Sequence, residues 1–250
     1  MKFQLAESGD IDDFEGMVAE RKLDGSRAMM IDNKIVNRSG KHYHQKLPEI
    51  ETTDKMILDG EIITHNFEFP SVLSRIMTEN PGKIKRLSKD CPAFFVVYDI
   101  LEKDGEDLTD LPWNKRKEEL NGVTKDLSNV LEITTHDDPE ELWERAVQED
   151  WEGIILKDPN ATYNPGRNDG WIKIKHWEEE VFEIIKHEKT DNDGIVIHID
   201  IGTDESQKVV VNGHNDQEKL ENEYCEEAEI QYLERSDSDR LRKPSFKRFV

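Results

Sequence analysis

The sequence predicts an α+β protein in two parts. Residues 1–178 read as a region built on antiparallel sheets with a few helices, and residues 179–250 as a small Greek-key β-barrel. Three observations carry this expectation. Short alternating runs rich in Ile and Val, bounded by turn residues and too short for helices, recur along the chain. Helical spacing occurs only here and there among them, so strands outnumber helices and the order is mixed. Beyond about residue 179, only short strands with polar turns remain.

Taken in order, "RAMMIDNKIVNR" (27–38) and "KMILDGEIITHN" (55–66) alternate as strands, and "FPSVLSRIMTEN" (69–80) has helical spacing. The strand "AFFVVYDIL" (93–101) precedes two helical segments, "LPWNKRKEELNGV" (111–123) and "DPEELWERAVQED" (138–150). In the last, Asp138 is placed to cap the N-terminus and Pro139 suits the first turn, while Leu142, Ala146 and Val147 line one face. The strands "WEGIILKD" (151–158) and "GWIKIKHW" (170–177) complete the first part. The second is expected to be built from "VFEIIKHEKT" (181–190), "DGIVIHIDIGT" (193–203), "KVVVNG" (208–213) and "EAEIQYLER" (227–235).

Charge is the unusual feature of the composition. Fifty-six acidic residues face 34 basic ones, a formal charge of −22 with a pI near 4.8. Taken alone, this argues against a nucleic-acid partner, because phosphate backbones attract positive surfaces. The acidity is spread over "ESGDIDDFEG", "THDDPEELWE" and "ENEYCEEAE", which fits a chain adapted to high salt, where screening shortens repulsion to a few ångströms. An ordinary acidic cytoplasmic protein is the alternative. No apolar run has the length of a membrane span and the N-terminus lacks a secretory pattern, so a soluble, cytoplasmic protein is expected. Two distant cysteines, Cys91 and Cys225, make neither a zinc module nor a disulfide framework.

The segments that carry chemistry begin at "ERKLDGSR" (20–27). Lys22 stands immediately before a turn that Gly25 can make tight, with Glu20 behind it and Arg27 ahead. An amine acts as a nucleophile once its proton is lost, and neighbouring cations such as Arg21, Arg27, Lys173 and Lys175 would promote that loss. "KLDG" alone is more often a hairpin with a surface lysine. "LDGE" puts Glu61 on a strand and "WEGII" puts Glu152 just before one, two carboxylates able to bind Mg²⁺ or a ribose; each by itself is more often a solvated turn residue. In "WIKIK", Lys173 and Lys175 share one strand face, where two ammonium groups repel unless an anion such as a polyphosphate lies between them. Tyr98 in "YDI" is a core aromatic or a ring that stacks on a base.

Together, in this order, these segments resemble the covalent nucleotidyltransferases, and most closely the ATP-dependent DNA ligases. The resemblance runs from about residue 17 to 177: "KLDGSR" with Lys22, "NRSG" with Arg38, "LDGE" with Glu61, "FFVVYDIL" with Tyr98, "EGIILK" with Glu152 and Lys157, and "WIKIK" with Lys173 and Lys175. "YNPGR" (163–167) resembles the segment before the last of these, and "VVVNG" with "EAEIQYLERSDSDRLRKPSF" resembles the ligase OB-fold domain. Family members usually continue into an Arg-x-Asp-Lys motif that helps expel pyrophosphate. This sequence runs to "FKRFV" without it, and Arg242, Lys243, Lys247 or Arg248 are expected to share that task.

The resemblance implies that Lys22 attacks the α-phosphate of ATP to give a lysyl-AMP, that AMP passes to the 5′-phosphate of a nick, and that the 3′-hydroxyl displaces it. It implies adenine near Glu20, ribose near Arg27 and Glu61, a base packed on Tyr98, phosphates near Lys173 and Lys175, and further nucleotide contacts from Arg38 and Lys157. Mg²⁺, or Mn²⁺, is implied at Glu61 and Glu152. ATP is expected in place of NAD, because no four-cysteine module is present and about twenty residues precede Lys22. A minimal, monomeric enzyme acting on nicked duplex DNA is the reading; an RNA ligase or RNA-end adenylating enzyme, and a catalytically silent nucleotide- or DNA-binding module, are the alternatives. With −22 overall, DNA contact requires local basic segments. Arg38, the segment "GKIKRLSK" (82–89) with Lys83, Lys85 and Arg86, "NKRK" (114–117), and the tail (240–248) with Arg242 and Arg248 are the candidates.

Overall fold

The computed structural model describes residues 2–250 apart from 191–193, 212–215, 218–219, 221–224 and 237. The chain divides into two units, Met1–Ile174 and Lys175–Val250. Among the described residues, no helix is long and apolar enough to cross a membrane.

The first unit contains β1 (Gln4–Ser8), a 3-10 turn (Ile11–Phe14), β2 (Val18–Arg21), β3 (Ser26–Ile31), β4 (Lys34–Asn37), β5 (Met56–Thr64), α1 (Phe69–Met77) and α2 (Pro81–Asp90). It continues through β6 (Ala93–Lys103), β7 (Glu106–Asp107), α3 (Trp113–Leu120), β8 (Val130–Glu132), β9 (Thr135–His136), α4 (Pro139–Gln148), β10 (Gly153–Lys157) and β11 (Gly166–Lys175), whose last residue opens the second unit. Two sheets result. One has the order β1-β11-β10-β2-β9; the other runs β4-β3-β5-β6-β7, with β8 beside β6. Pairing is antiparallel as expected, except that β1 lies parallel to β11 and β6 parallel to β8.

Alternation sorts the side chains of β3 and β5 onto two faces. Ala28, Met30, Leu58 and Ile62 join the main core with Val72 and Ile76 of α1. Met29 and Ile57 turn the other way, into a smaller apolar layer with Phe3, Leu101, Tyr163 and Trp171. Arg27, Asp59 and Glu61 share the face of Met29 and Ile57, so polar groups are delivered to the layer where the two sheets meet. Helix α4 covers the first sheet through Leu142 and Ala146, packed on Ala19, Ile154 and Ile174. Asp138 accepts from the Glu141 N–H at 3.0 Å, the expected cap, but Val147 is exposed and does not belong to the buried face. Helix α2 falls where only a basic segment had been read. Its four cations and the absence of any buried residue leave no apolar stripe to recognise.

The second unit forms a five-stranded sheet, β14-β13-β12-β15-β18, from β12 (Glu178–Lys189), β13 (Ile195–Ile199), β14 (Gln207–Val211), β15 (Glu227–Tyr232) and β18 (Ser245–Phe249), with the short pair β16 (Glu234–Arg235) and β17 (Leu241–Arg242). Its core is Ile195, Ile197 and Ile199 with Phe182, Val209, Ile230, Tyr232 and Phe246. The start of the expected strand at Asp193, the end of "KVVVNG" at Asn212 and Gly213, and the first half of "ENEYCEEAE" (221–224) lie outside the described residues. The whole is α+β, a first unit of two sheets with helices on them, followed by a second unit built on one five-stranded sheet and a short strand pair.

Candidate active site

Lys22 stands where the chain passes from one sheet to the other. Strand β2 ends at Arg21 in the first sheet and β3 begins at Ser26 in the second, so residues 22–25 form the crossing. The Lys22 N–H donates to the Gly153 carbonyl at 2.9 Å, which holds the crossing against the start of β10. The Lys22 ammonium contacts the Glu152 carboxylate; their side chains are 17% and 6% exposed. The crossing must also pass close to β5. A Cβ added at Gly25 would lie 2.3 Å from the Ile62 carbonyl oxygen and 2.7 Å from Glu61 Cγ, so only glycine fits there.

The cations expected around Lys22 are arranged otherwise. The Arg21 guanidinium stacks 4.2 Å from the Trp151 ring and 4.9 Å from Phe67, and burial lowers its pKa against the pull of Glu149. Arg27 is bound to Asp59 by two bonds, Nε to Oδ1 at 3.1 Å and Nη2 to Oδ2 at 2.6 Å. It also donates to the Gln4 carbonyl at 2.5 Å. Although burial opposes it, Asp59 holds this guanidinium well above its usual value. Tyr163 closes the ring, donating its hydroxyl to Asp59 at 2.7 Å and accepting the Gln4 N–H at 3.0 Å. The direct partner of the Lys22 amine is therefore a carboxylate. Of the other expected cations, Lys173 feels Lys22 through space: burial, Arg167 and Lys22 lower the Lys173 pKa, and its ammonium donates to the Ala6 carbonyl at 3.2 Å.

Glu61 pairs with Arg27 across β3 and β5. Burial pushes its carboxyl up to about 8, with Lys22 and Arg27 opposing and Asp59 and Glu152 adding to the rise. Two carboxylates, Glu61 and Glu152, thus flank one amine. Among the described residues, no group of three or more His, Cys, Asp or Glu side chains is arranged to hold a metal ion.

Glu20 lies two residues before Lys22 and is buried. Its carboxylate accepts from Lys117 at 3.1 Å and Thr135 at 3.0 Å, and lies 3.4 Å from Lys157. The Lys157 ammonium sits 3.3 Å from the centre of the Trp171 ring and 4.8 Å from Tyr98, and burial lowers its pKa. Tyr98 meets Trp171 edge to face at 5.6 Å, so the ring read as either core or base platform packs on the inter-sheet layer; burial raises its hydroxyl pKa. Next to this network, a cavity of about 760 Å³ is lined by Lys117, Thr135, Val18 and Trp113.

The expected basic segments fare unequally. "NKRK" is not a surface stripe. Arg116 is buried and doubly bonded to the buried Asp99, with both bonds at 2.8 Å; Lys117 is committed to Glu20, and Lys115 to Glu118 at 2.9 Å. In the tail, Arg242 pairs with Glu234 at 2.5 Å, Lys247 with Glu179 at 2.6 Å and Arg248 with Glu229 at 2.6 Å, so these cations are neutralised on the barrel surface. Lys175 opens the second unit with its ammonium 4.6 Å from the Trp177 ring. Arg38 is exposed in the turn after β4 and makes no contact with the Lys22 cluster, while Lys83, Lys85 and Arg86 are exposed on α2. Asp59 and Asp99 escaped the sequence reading, Tyr163 entered it only within "YNPGR", and Arg116 and Lys117 entered it as part of a DNA-facing surface. For Asp59 the signal was present, because alternation in "LDGE" puts it on the face of Glu61.

Comparison with known proteins places this geometry. Residues 4–175 match the family model described as "ATP dependent DNA ligase domain". The chain is 30% identical over 197 residues to "DNA ligase 2" of Haloquadratum walsbyi, an alignment covering 70% of this chain and 31% of that protein. It is 29% identical over 196 residues to "DNA ligase" of Halobacterium salinarum, covering 68% of this chain and 35% of that one. The chain thus spans about a third of the length of these curated relatives. A solved structure from a structure–function study of Lig E DNA ligases superposes with a TM-score of 0.78 at 18% identity, over 100% of this chain and 99% of the other, a likeness of fold.

Proposed function

This chain belongs to the family of ATP-dependent DNA ligases, and from that premise we propose that it seals nicks in duplex DNA through a lysyl-AMP intermediate. The observation that carries the reading is the position of Lys22, held at the crossing between two sheets against Glu152 with Glu61 beside it. In this reading Glu152, already in contact, is the nearest acceptor for the Lys22 proton. The neutral amine then attacks the α-phosphate of ATP, the bond to pyrophosphate breaks, and AMP remains on nitrogen as a phosphoramide. AMP next passes to the 5′-phosphate of the nick, which frees Lys22, and the 3′-hydroxyl displaces AMP as the strand is joined.

The remaining residues take positioning roles. Arg27, locked by Asp59, and Glu61 face the ribose. Tyr98 packs at the base, and Glu20 braces Lys157 at that end of the site. Lys157 meets the nucleotide from that end, while Lys173 and Lys175 offset charge on the phosphates, each worth on the order of 3 kcal/mol where well placed. Mg²⁺ commonly uses only one or two carboxylates together with substrate phosphates. Glu61 and Glu152, both beside Lys22, fit an ion that arrives with the nucleotide. When bound, such an ion, or Mn²⁺, would offset negative charge developing on the phosphoryl oxygens.

Residues 1–178 are read as the adenylation domain and 179–250 as the OB-fold domain of a cytoplasmic monomer. Arg38, Lys83, Lys85, Arg86, Arg242 and Arg248 are the residues proposed to meet DNA; the last two would have to exchange their carboxylate partners for phosphate. The acidic surface and the ligases of halophilic archaea among its relatives support adaptation to high salt. Incubation with α-labelled ATP and Mg²⁺, followed by denaturing electrophoresis, tests the chemistry. A labelled protein band that is absent in Lys22→Ala supports it, and no band in the parent chain refutes it. Sealing of nicked DNA against nicked RNA then tests the substrate.

A further inference from the structure

One element of the first unit is left unused by the nucleotide chemistry. Helix α2 buries none of its ten residues; Ile84 and Leu87 are only half covered. Short helices in water depend on packing an apolar face, so α2 gains little from the core. It carries Lys83, Lys85, Arg86 and Lys89 against a single acid, Asp90, in a chain of net charge −22. Among the described residues, Lys83, Lys85 and Lys89 make no ion pair, and Arg86 meets Asp90 only at 3.8 Å on the open surface. Lys85 and Lys89 are one turn apart, where like charges cost a helix a few tenths of a kcal/mol. The acids so abundant elsewhere on the chain have not been placed to relieve them.

Beside this helix lies a cavity of about 430 Å³ between α2 and residues 42–48, lined by His42, Gln45, Lys46, Glu79, Lys85 and Ser88. The carboxylate in its wall is already engaged: Glu79 pairs with Lys46, whose buried ammonium also donates to the Ile76 carbonyl at 3.0 Å. The Gln45 amide and the Lys85 ammonium have no hydrogen-bond partner among the described residues. The groove therefore presents the Gln45 amide and the Lys85 ammonium beside a carboxylate that Lys46 already holds.

We propose that this groove seats the phosphodiester backbone of duplex DNA, with Lys85 and Lys89 on nearby phosphates of one strand and the Gln45 amide donating to one of them. The proposal rests on the ligase reading for its partner and adds the place where that partner is gripped. Lys85 and Lys89 are about 6 Å apart along the helix axis, and one strand carries a charge every ~3.4 Å of its own axis, so the pair spans roughly two phosphates.

The test uses the full chain, charged with AMP to the same measured extent in every sample, so that loss of adenylation is read apart from loss of DNA binding. Affinity for a fluorescent nicked duplex is followed across a KCl series. Lys85→Ala is expected to flatten the slope of log affinity against log salt by about 0.9, and the pair Lys85→Ala and Lys89→Ala by about twice that. Lys85→Arg should restore the slope. Gln45→Ala should weaken binding with the slope kept, and Lys55→Ala, at the opposite end of β5, should leave it as it was. Equal melting temperatures exclude unfolding. An unchanged slope in the double variant overturns the proposal. So does a groove that protects Lys85 from acylation in the presence of inorganic tripolyphosphate but not of duplex DNA. If the parent chain cannot be charged at all, the ligase reading fails, and the slopes of the uncharged proteins still decide the groove.

Discussion

Glu61 gives a quantitative check on the inter-sheet site. Burial lifts its carboxyl from 4.5 to about 8 in the fold. A group whose folded pKa lies above its unfolded value makes the protein most stable below the unfolded value. That stability is lost as pH rises through the interval, here from about 4.5 to about 8. At roughly 1.4 kcal/mol per pH unit, the loss attributable to Glu61 approaches 5 kcal/mol by pH 8 and then levels off. Glu61→Gln keeps the shape and removes the charge, so the variant lacks this component. Urea unfolding of both proteins, at fixed KCl and at each pH from 5 to 9, isolates Glu61 with the groups coupled to it, because the remaining titrating groups cancel in the difference. The stability of the variant relative to the parent should climb with pH up to about 8 and remain level above. A difference that is flat across the range would show that the carboxylate is solvated, and would remove the argument that Lys22 and Glu61 share a desolvated cleft.

Three further outcomes follow from named contacts. Arg116→Met strands the buried Asp99 carboxylate and should cost about 3–5 kcal/mol in urea unfolding, with most of it returned when Asp99→Leu is added. Gly25→Ala drives a methyl group into the Ile62 carbonyl and the Glu61 side chain; self-adenylation should fall by about 100-fold, read as the rate of label transfer from ATP. Arg21→Lys keeps the charge but loses the planar stack between Trp151 and Phe67, and should cost about 1 kcal/mol, seen as a lowered melting temperature.

What could be read in advance was local. Lys22 and Gly25 sit in one crossing with Arg27 just beyond it in β3, and the alternation that sends Ile62 to the core sends Glu61 to the site, so a local reading places them. Partners distant in sequence could not be read this way. The interior fate of Arg116, on α3, depends on Asp99 of β6, so "NKRK" looked like a basic surface. The tail arginines and Lys247 looked available until β12, β15 and β16 brought carboxylates opposite them. Helix α2 escaped because a helix that buries nothing has no apolar period. Asp59 was overlooked beside Glu61, although the same alternation serves both.

The parallel pairing of β1 with β11 ties Gln4 to Gly166 and Leu5 to Arg167. Through Gln4, this pairing also anchors Tyr163 and Arg27. A ribosome making this protein from its first residue must therefore emit some 160 residues before the opening strand finds its neighbour. Closing so long a loop is slow. The sheet that carries Glu152 and the end of β2 is therefore completed only when nearly all of the first unit has left the exit tunnel.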